Sequence, residues 1–376
     1  MVTPEAFRLR FPALADLTHL ASCSQGALSQ QVVAALFEYQ HTMRETGAPW
    51  ERWMAEVDTA RRMFARFVGA ADDEIAVVPS ASAGAYQVAS TQDWSARRRL
   101  VTTDVEFPSI AHVWLAQQTV GAEVVYVSER DGRVWADDYD SLITEATGLV
   151  SVPLISYRNG LRLPTKEVVA HAHAAGAKAF VDAYQGAGVE RVDVRELDCD
   201  YLISGSLKYM LGLPGMAFLY VRSGLVDAKP PIQTGWFGRV NPFEFNAHSL
   251  DYPDHARRFE SGTPSIPAAF GAVGGMRALE GVDPVAVSAH VSRLSGQLHQ
   301  ALTEMGEKIT SPSDPHLRGP MVAVMDVDPS KLAAYLADHR IASSPRGEAV
   351  RLSLHYYNNA ADLDAVVDAI AAYRRL

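Results

Sequence analysis

A single lysine in the stretch "SGSLKYMLGLPG" is the first candidate for chemistry in this sequence. Lys208 lies between an apolar run and an apolar, glycine-spaced turn, although lysine is ordinarily an exposed residue. Little around it would solvate a long charged side chain, but a surface lysine with a buried stem gives the same pattern. A desolvated lysine has a lowered pKa and becomes a nucleophile toward carbonyl groups. The sequence therefore indicates either a solvated loop charge or an amine that does chemistry.

Two further features follow apolar runs in the same way. Asp182 closes the run in "FVDAYQGAG", and ligands of α/β proteins bind at the carboxyl ends of parallel strands. Small polar residues follow the run in "VPSASAGAYQ", and a helix beginning near Gly84 would offer free backbone N–H groups to an anion such as phosphate. Each feature alone also fits an ordinary helix cap at Asp182, Ser80 or Ser82.

One cofactor would explain all three features together. Pyridoxal 5′-phosphate (PLP) carries an aldehyde, a phosphate and a pyridine nitrogen, and these groups need an amine, an anion-binding turn and a carboxylate. The sequence therefore predicts a PLP site that contains Lys208 and Asp182.

The segments around these residues indicate an α/β fold. Seven short apolar runs alternate with helical segments, and the runs occupy 74–80, 99–107, 122–128, 148–156, 177–184, 201–206 and 216–222. They are nearly continuous in apolar residues, which is typical of strands buried on both faces. Such strands alternating with helices predict a mainly parallel sheet between helices.

The pattern changes after residue 222. An irregular segment rich in proline and glycine precedes a predicted helix from about Asp283 to Gly306, and the tail then reads strand, helix, strand, helix. We therefore expect three parts, namely an N-terminal segment (1–18) that packs with the small domain, a large PLP-binding domain (19–262) and a small C-terminal α/β domain (263–376).

The composition excludes several classes of protein. The 376 residues carry a net charge of −10 without a basic patch, so nucleic acid is not an expected partner. No apolar run is long enough to span a membrane, and the N-terminus lacks a secretory pattern. Two cysteines, Cys23 and Cys199, rule out a disulfide framework, and we expect a cytoplasmic protein. His171 and His173 face different sides of a predicted helix, so no metal site is expected.

The spacing in "FVDAYQGAG…DCDYLISGSLKYMLGLPGMAFLYVR" resembles the class V aminotransferase group of fold-type I PLP enzymes. That group includes cysteine desulfurases, kynureninases, isopenicillin epimerases and C–S lyases. The resemblance runs from "HLASCSQGALS" through "RRFESGTPSIP" to "VRLSLHYYNN" and so covers nearly the whole chain. It implies a large and a small α/β domain, an amino-acid-type substrate and a homodimer with a shared active site.

The resemblance also implies roles for individual residues. Lys208 forms the Schiff base with the cofactor and later moves protons at the substrate Cα. Asp182 pairs with the pyridine nitrogen, Gln185 hydrogen-bonds the 3-hydroxyl, and Phe107 in "EFPS" stacks on the ring. Arg351 forks onto the substrate carboxylate, a bidentate contact that lysine makes poorly.

Phosphate contacts are implied for several small residues. Ser82 and the backbone of Ala83 match the phosphate-binding turn, and Ser206 or Ser204 would add a contact. Thr263 in "SGTP" would reach the phosphate bound to the neighbouring subunit.

On the substrate side the resemblance is less specific. Trp236 in "GWFG" resembles kynureninase-type segments, as do Phe107 and Thr263. Cys23 and Ser24 lie in a segment that would form either a substrate lid or N-terminal packing, and so does "GAPWERW". Tyr157 stands about where desulfurases carry an asparagine near the 3-hydroxyl.

Two departures bear on the reaction. Leu207 stands where the family commonly has a histidine or tyrosine, and the segment "IASSPRGEAVR" lacks the mobile cysteine of a persulfide-forming desulfurase. We therefore expect a Cβ-cleaving enzyme of the C–S lyase or kynureninase type, not a desulfurase. Transamination and epimerisation remain alternatives, and a non-catalytic PLP-fold protein, favoured only by Leu207, is a remote one.

Overall fold

The structure is a computed structural model that describes residues 2–130, 132–226 and 229–376. Met1, Asp131, Asp227 and Ala228, which fall within the predicted N-terminal segment and large domain, lie outside the described residues. Within the described ranges twelve strands are present: β1 (Thr18–His19), β2 (Ile75–Val78), β3 (Arg99–Thr103), β4 (Glu123–Val127), β5 (Thr147–Pro153), β6 (Lys178–Asp182), β7 (Tyr201–Gly205), β8 (Ala217–Val221), β9 (Met321–Met325), β10 (Ile341–Ala342), β11 (Ser344–Arg346) and β12 (Ala349–Ser353).

The helices are longest at the two ends of the chain. Over the same described residues they are α1 (Pro4–Arg8), α2 (Gln30–Thr46), α3 (Trp50–Val68), α4 (Ala81–Ser90), α5 (Pro108–Ala116), α6 (Ala136–Leu142), α7 (Thr165–Ala174), α8 (Val194–Leu197), α9 (Ile266–Ala278), α10 (Pro284–Glu304), α11 (Pro329–Asp338) and α12 (Ala360–Tyr373). Short 3-10 turns occupy Pro12–Ala15, Asp72–Glu74, Gln117–Val120, Trp236–Gly238, Pro242–Glu244 and Ala256–Phe259.

Seven strands form the central sheet, in the order β2-β8-β7-β6-β5-β3-β4. β8 is antiparallel to both of its neighbours, whereas the other pairs are parallel. All strands of this sheet other than β8 therefore point the same way, and their carboxyl ends lie along one edge. The predicted α/β fold with a mainly parallel sheet is confirmed.

A second, antiparallel sheet has the order β11-β12-β9 and lies wholly in the C-terminal part of the chain. The N-terminus packs against this part, because β1 pairs with β10 and Arg8 forms an ion pair with Asp362 at 2.8 Å. Phe7 stacks on Tyr357, with ring centroids 6.2 Å apart. The boundaries of the three expected parts stay a prediction.

Three helices, α4, α3 and α9, differ from what the sequence predicts. α4 begins at Ala81 and not near Gly84, because the Ser80 hydroxyl accepts a hydrogen bond from the Ala83 N–H and caps the helix. α3 begins at Trp50, so "GAPWERW" enters a helix. α9 was not predicted, because nearly all of its residues are buried and leave no amphipathic period.

Candidate active site

The residues that follow β2, β3, β5, β6 and β7 meet in one cavity of about 240 Å³ at the carboxyl edge of the central sheet. Parallel strands bring these positions together although they are far apart in sequence. The predicted site residues that line this cavity are Ser82, Phe107, Tyr157, Asp182, Gln185 and Lys208. Leu207, Ser80, Glu106 and Tyr184 line it as well.

The loop after β7 presents Lys208 to the cavity. The Gly212 N–H donates to the Ser206 carbonyl oxygen at 2.7 Å, and the Leu211 N–H donates to the Lys208 carbonyl oxygen at 3.1 Å. Leu211 has a φ of 62°, a left-handed conformation that is strained for a leucine. Gly188 packs so closely on the loop that a Cβ there would overlap the Tyr209 carbonyl group. The lysine backbone is therefore held in place from both sides.

The Lys208 amine forms no hydrogen bond or ion pair with any residue in the described ranges. Its Nζ lies 4.3 Å from the ring centroid of Tyr184 and 5.3 Å from that of Phe107. Burial lowers the pKa of Lys208 to about 8, and the nearby charge of Asp182 opposes that decrease. About a tenth of the amine is therefore unprotonated at pH 7, and the unprotonated form is the one that acts as a nucleophile.

Two buried carboxyl groups face the same cavity. Asp182 ends β6, and its Oδ1 accepts a hydrogen bond from the Tyr184 N–H at 2.8 Å. Burial raises the pKa of Asp182, whereas that hydrogen bond and the charge of Lys208 lower it. Burial, followed by the charge of Asp182, raises the pKa of Glu106 to about 8. The Phe107 N–H and the Ser151 hydroxyl donate to Glu106 at 2.8 and 3.1 Å.

The N-terminus of α4 forms one side of the cavity. Ser80 accepts from the Ala83 N–H with its hydroxyl at 3.2 Å and from the Gly84 N–H with its carbonyl at 3.1 Å. The N–H groups of Ala81 and Ser82 form no hydrogen bond within the described part of the chain. They remain available to an anion, which the helix dipole also favours. The Ala83 N–H, in contrast, is already engaged by the cap.

Among the buried polar atoms that lack a partner in the described residues are Oε1 of Gln185, which lines the cavity, and Oγ of Ser204, which lies in β7. Gln185 is fixed by its other amide atom, because Nε2 donates to the Cys23 carbonyl oxygen at 3.1 Å. A buried acceptor or hydroxyl without a partner is costly, so a bound group is the expected partner.

Arg351 lies in β12 and is 1% exposed. Its guanidinium donates to the carbonyl oxygen of Tyr157 and to the hydroxyl of Ser344, both at 2.7 Å. No carboxylate pairs with it within the described ranges, although an unpaired buried charge is costly. Arg351 contacts Tyr157, which lines the cavity, so the guanidinium lies near the lysine. Burial is the main cause of the low pKa of Lys208, and the positive charge of Arg351 lowers it further.

Several predicted site residues lie away from the cavity lining. The Ser206 hydroxyl donates to the carbonyl oxygen of Leu213 at 2.6 Å. Thr263 is exposed and lines a separate cavity of about 120 Å³, and Trp236 belongs to an aromatic cluster in the segment after β8. Ser24 is partly buried in the turn after β1.

Other features of the described chain have structural explanations. His171 pairs with Asp140 at 3.1 Å and His173 with Asp200 at 2.8 Å. No group of three or more potential metal ligands is found among the described residues. None of the described helices is long and apolar enough to cross a membrane.

Besides small and apolar lining residues, the cavity contains Glu106 and Tyr184, which were not predicted from the sequence. Glu106 directly precedes Phe107, and Tyr184 stands between Asp182 and Gln185, so both lie inside motifs that were already singled out. A charged residue at the end of an apolar run signals Glu106 by the same reasoning that identifies Asp182. Nothing in the sequence pattern distinguishes Tyr184 from a core tyrosine.

The residues present fit PLP. The unpaired amine of Lys208 suits the aldehyde, the buried carboxyl of Asp182 suits the ring nitrogen, and the α4 N-terminus suits the phosphate. The orphaned Oε1 of Gln185 and Oγ of Ser204 leave two further polar atoms to satisfy. Phe107 and Tyr184 supply aromatic surface for a planar ring.

Comparisons with known proteins agree with this chemistry. Residues 21–366 match the family model described as "Aminotransferase class-V". An uncharacterized aminotransferase, YcbU of Bacillus subtilis (strain 168), is 34% identical over 369 residues and 98% of each chain. A kynureninase of Deinococcus radiodurans is 30% identical over 276 residues, which are 69% of this chain and 64% of that protein.

Solved structures show the same fold at lower identity. The apo cysteine desulfurase of Thermococcus onnurineus NA1 superposes with a TM-score of 0.88 at 23% identity, and the match covers 100% of this chain and 99% of that chain. The cystine C–S lyase C-DES, in complex with its product cysteine persulfide, superposes with a TM-score of 0.88 at 19% identity. The match covers 96% of this chain and 99% of that chain. The chain therefore belongs to the class V aminotransferase family and takes pyridoxal 5′-phosphate as its cofactor.

Proposed function

We propose that this enzyme cleaves a bond at Cβ of an amino acid or amino-acid conjugate, as a C–S lyase or a kynureninase does. The proposal depends on two features of the described residues. The Lys208 amine in the cavity makes no hydrogen bond, and the buried Arg351 nearby has no carboxylate partner. This pair suits a substrate that bears both an amine and a carboxylate. The 30% identity to a kynureninase favours chemistry at Cβ.

Each residue of the site would have a distinct task. Arg351 would fix the substrate carboxylate with a bidentate contact. Lys208 would remove the proton from Cα, since its low pKa leaves an unprotonated amine at neutral pH. The bound cofactor supplies an electron sink for the pair left at Cα. Asp182 would hold a proton at the cofactor's ring nitrogen. In a β-elimination the leaving group would depart from Cβ with the electrons of its bond, whereas in a kynureninase-type cleavage water would take up the acyl group, the electrons would stay on Cβ, and a proton would replace the acyl group there.

Transamination is the second candidate. It is favoured by the relative from Bacillus subtilis, which is named an aminotransferase and matches 98% of this chain. The same lysine would then return the proton to the cofactor side instead of releasing a leaving group. Epimerisation would return the proton to the opposite face of Cα.

The exclusion of a cysteine desulfurase is not supported by the comparisons, because a structural neighbour is itself a desulfurase. The exclusion stays part of the proposal on other grounds. Both cysteines of the chain, Cys23 and Cys199, are buried, and residues 341–351 contain none. Sulfur would therefore leave as a free thiol or sulfide and not as a persulfide on a mobile cysteine.

We also propose a homodimer in which Thr263 reaches the partner's cofactor. Thr263 is exposed in the protomer, and the segment before it leaves Phe243 and Phe245 50% and 73% exposed. Aromatic surface of this kind is typical of a protein interface. Sedimentation of the purified protein would show a dimer, whereas a monomer across all concentrations would contradict this part of the proposal.

One experiment separates the reactions. The holoenzyme is incubated with a cysteine S-conjugate, and thiol and pyruvate are measured with and without an added keto acid. Elimination predicts equal amounts of both products without the acceptor, and their loss in Lys208→Ala. Transamination would instead give the S-substituted keto acid, with the C–S bond intact, and only when the acceptor is present. Loss of optical activity without any of these products would establish epimerisation. Release of sulfur from free cysteine that disappears in Cys23→Ser would indicate a desulfurase.

A further inference from the structure

Tyr184 lines the cavity and lies next to both Asp182 and Lys208. Its backbone N–H donates to Asp182 at 2.8 Å, and its ring centroid lies 4.3 Å from the Lys208 Nζ. The ring is mostly buried, and burial raises the pKa of Tyr184, so the phenol stays neutral at physiological pH. It therefore presents an uncharged aromatic face to the lysine.

The room for this ring is made by a glycine in the neighbouring strand. Gly205 is the last residue of β7, whose residues are all buried. A Cβ on Gly205 would overlap the phenol oxygen and two ring carbons of Tyr184, and these are its three nearest atoms. Any other residue at position 205 would thus displace the tyrosine. The two residues form a complementary pair, because the missing side chain of one admits the ring of the other.

Phe107 supplies the second aromatic face near the lysine. Its ring centroid lies 5.3 Å from Nζ, and it contacts Tyr157 edge-on at 5.0 Å. The protonated form of a lysine amine is favoured within about 6 Å of two ring faces, and planar groups stack on the same faces. The cavity thus holds the reactive nitrogen against two rings, one of which depends on Gly205.

We propose that Tyr184 is a positioning residue, admitted by Gly205, whose ring orients the Lys208 amine and forms one aromatic wall for the cofactor ring. The proposal rests on the PLP site and not on which reaction the enzyme catalyses. A cofactor site that fails to form would refute the family chemistry, whereas a site that forms equally well without the Tyr184 ring would refute only this inference.

The first test compares Tyr184→Phe with Tyr184→Leu. PLP is titrated into the apo-protein, and its dissociation constant and the visible absorbance of the lysine-bound form are measured. Phe keeps the ring, so we expect affinity within about twofold of wild type, whereas Leu should weaken binding about tenfold and shift the absorbance band. Equal behaviour of the Leu variant and wild type, or of the Phe and Leu variants, would overturn the proposal.

The second test needs no cofactor and remains decisive if a single variant is poorly stable. Gly205→Ala should lower the thermal stability of the apo-protein in the wild-type background but not in the Tyr184→Ala background, because the overlapping atoms are gone. Gly186→Ala is the matched control. A Cβ there would meet Leu154 at 2.6 Å, so its effect should be the same in both backgrounds. If Tyr184→Ala reduced the stability loss caused by Gly186→Ala as much as that caused by Gly205→Ala, the specific contact between Tyr184 and Gly205 would be contradicted.

Discussion

Two regions of the molecule that sequence reasoning assigned to one active site differ in how they are built. Asp182, Phe107 and Lys208 follow strands of the central sheet and line one cavity. Trp236 and Thr263 lie in the irregular segment between β8 and α9, outside that cavity lining. Strand register fixes the first group within one chain. The second group has no such constraint.

The segment between β8 and α9 is instead organised by aromatic contacts. Trp236 lies 4.3 Å from Phe237 and 6.3 Å from Trp50 between ring centroids, and part of this cluster stays exposed. A sheet edge can complete a site by itself, whereas an exposed aromatic loop needs a further surface to cover it. We therefore expect the residues that line the cavity to act within one protomer and the loop residues to act across an interface.

The largest effect is expected at the sheet edge. Asp182→Asn keeps a hydrogen-bond acceptor for the Tyr184 N–H but removes the carboxylate that we propose holds a proton at the ring nitrogen. We expect kcat to fall on the order of 10²–10⁴-fold, while the fold is retained. The matched control is Asp193→Asn, which caps α8 far from the cavity and should leave kcat unchanged. Comparable kcat values for the two variants in steady-state assays would count against the role of Asp182.

The next effect concerns substrate binding. Arg351→Lys should raise KM about 10–100-fold with a smaller change in kcat, because lysine cannot make the bidentate contact. Arg346→Lys serves as the control, because Arg346 is exposed on β11 and is not expected to hold the carboxylate. If Arg346→Lys raised KM more than Arg351→Lys did, Arg346 and not Arg351 would be the residue that binds the carboxylate.

The buried acid pair predicts a pH effect on the apo-protein. The pKa of Glu106 is raised from 4.5 to about 8, so the folded state binds a proton that the unfolded state releases. The stabilisation is complete below pH 4.5 and is lost as the pH rises toward about 8, with a slope of at most about 1.4 kcal/mol per pH unit. Glu106→Gln cannot titrate and should flatten this decline. Denaturant unfolding at several pH values measures it, and an unchanged slope in the variant would exclude Glu106 as the source.

The smallest effect is expected in the loop region. Thr263→Val should weaken PLP binding only a few-fold, about the effect of one lost hydrogen bond, and only while the protein is dimeric. Ser265→Ala is the control, because Ser265 is an exposed neighbour whose side chain makes no capping bond. An effect of Thr263→Val that persists in a monomer on dilution would show that the threonine acts within its own protomer.

The contrast between the two regions also explains what the sequence could predict. The runs that precede Asp182 and Lys208 are buried on both faces, so their apolar continuity predicted the strands and the edge where the site lies. The helix that begins at Ala81 was placed three residues late, because either Ser80 or Ser82 has the chemistry of a cap. α9 was missed because it is buried on all sides and contains adjacent glycines.

Other features depend on three-dimensional packing that no single-sequence pattern encodes. The Arg351 guanidinium donates to the hydroxyl of Ser344 on the adjacent strand and to the backbone carbonyl of Tyr157, far away in the sequence, so the absence of an acidic partner could not be foreseen. The pairing of Tyr184 with Gly205 joins the turn after β6 to the end of β7, and these two strands are neighbours only in the sheet. Glu106 gains its raised pKa from burial beside a second carboxyl group, which depends on how β3 and β6 are arranged.

The central claim is that Lys208 is the covalent anchor of the cofactor. Borohydride reduction of the holoenzyme, followed by proteolysis and mass spectrometry, would locate the pyridoxyl group directly. The account predicts one modified peptide that contains Lys208, and no modification in the Lys208→Ala variant. A pyridoxyl group on any other lysine of the wild-type protein would contradict it.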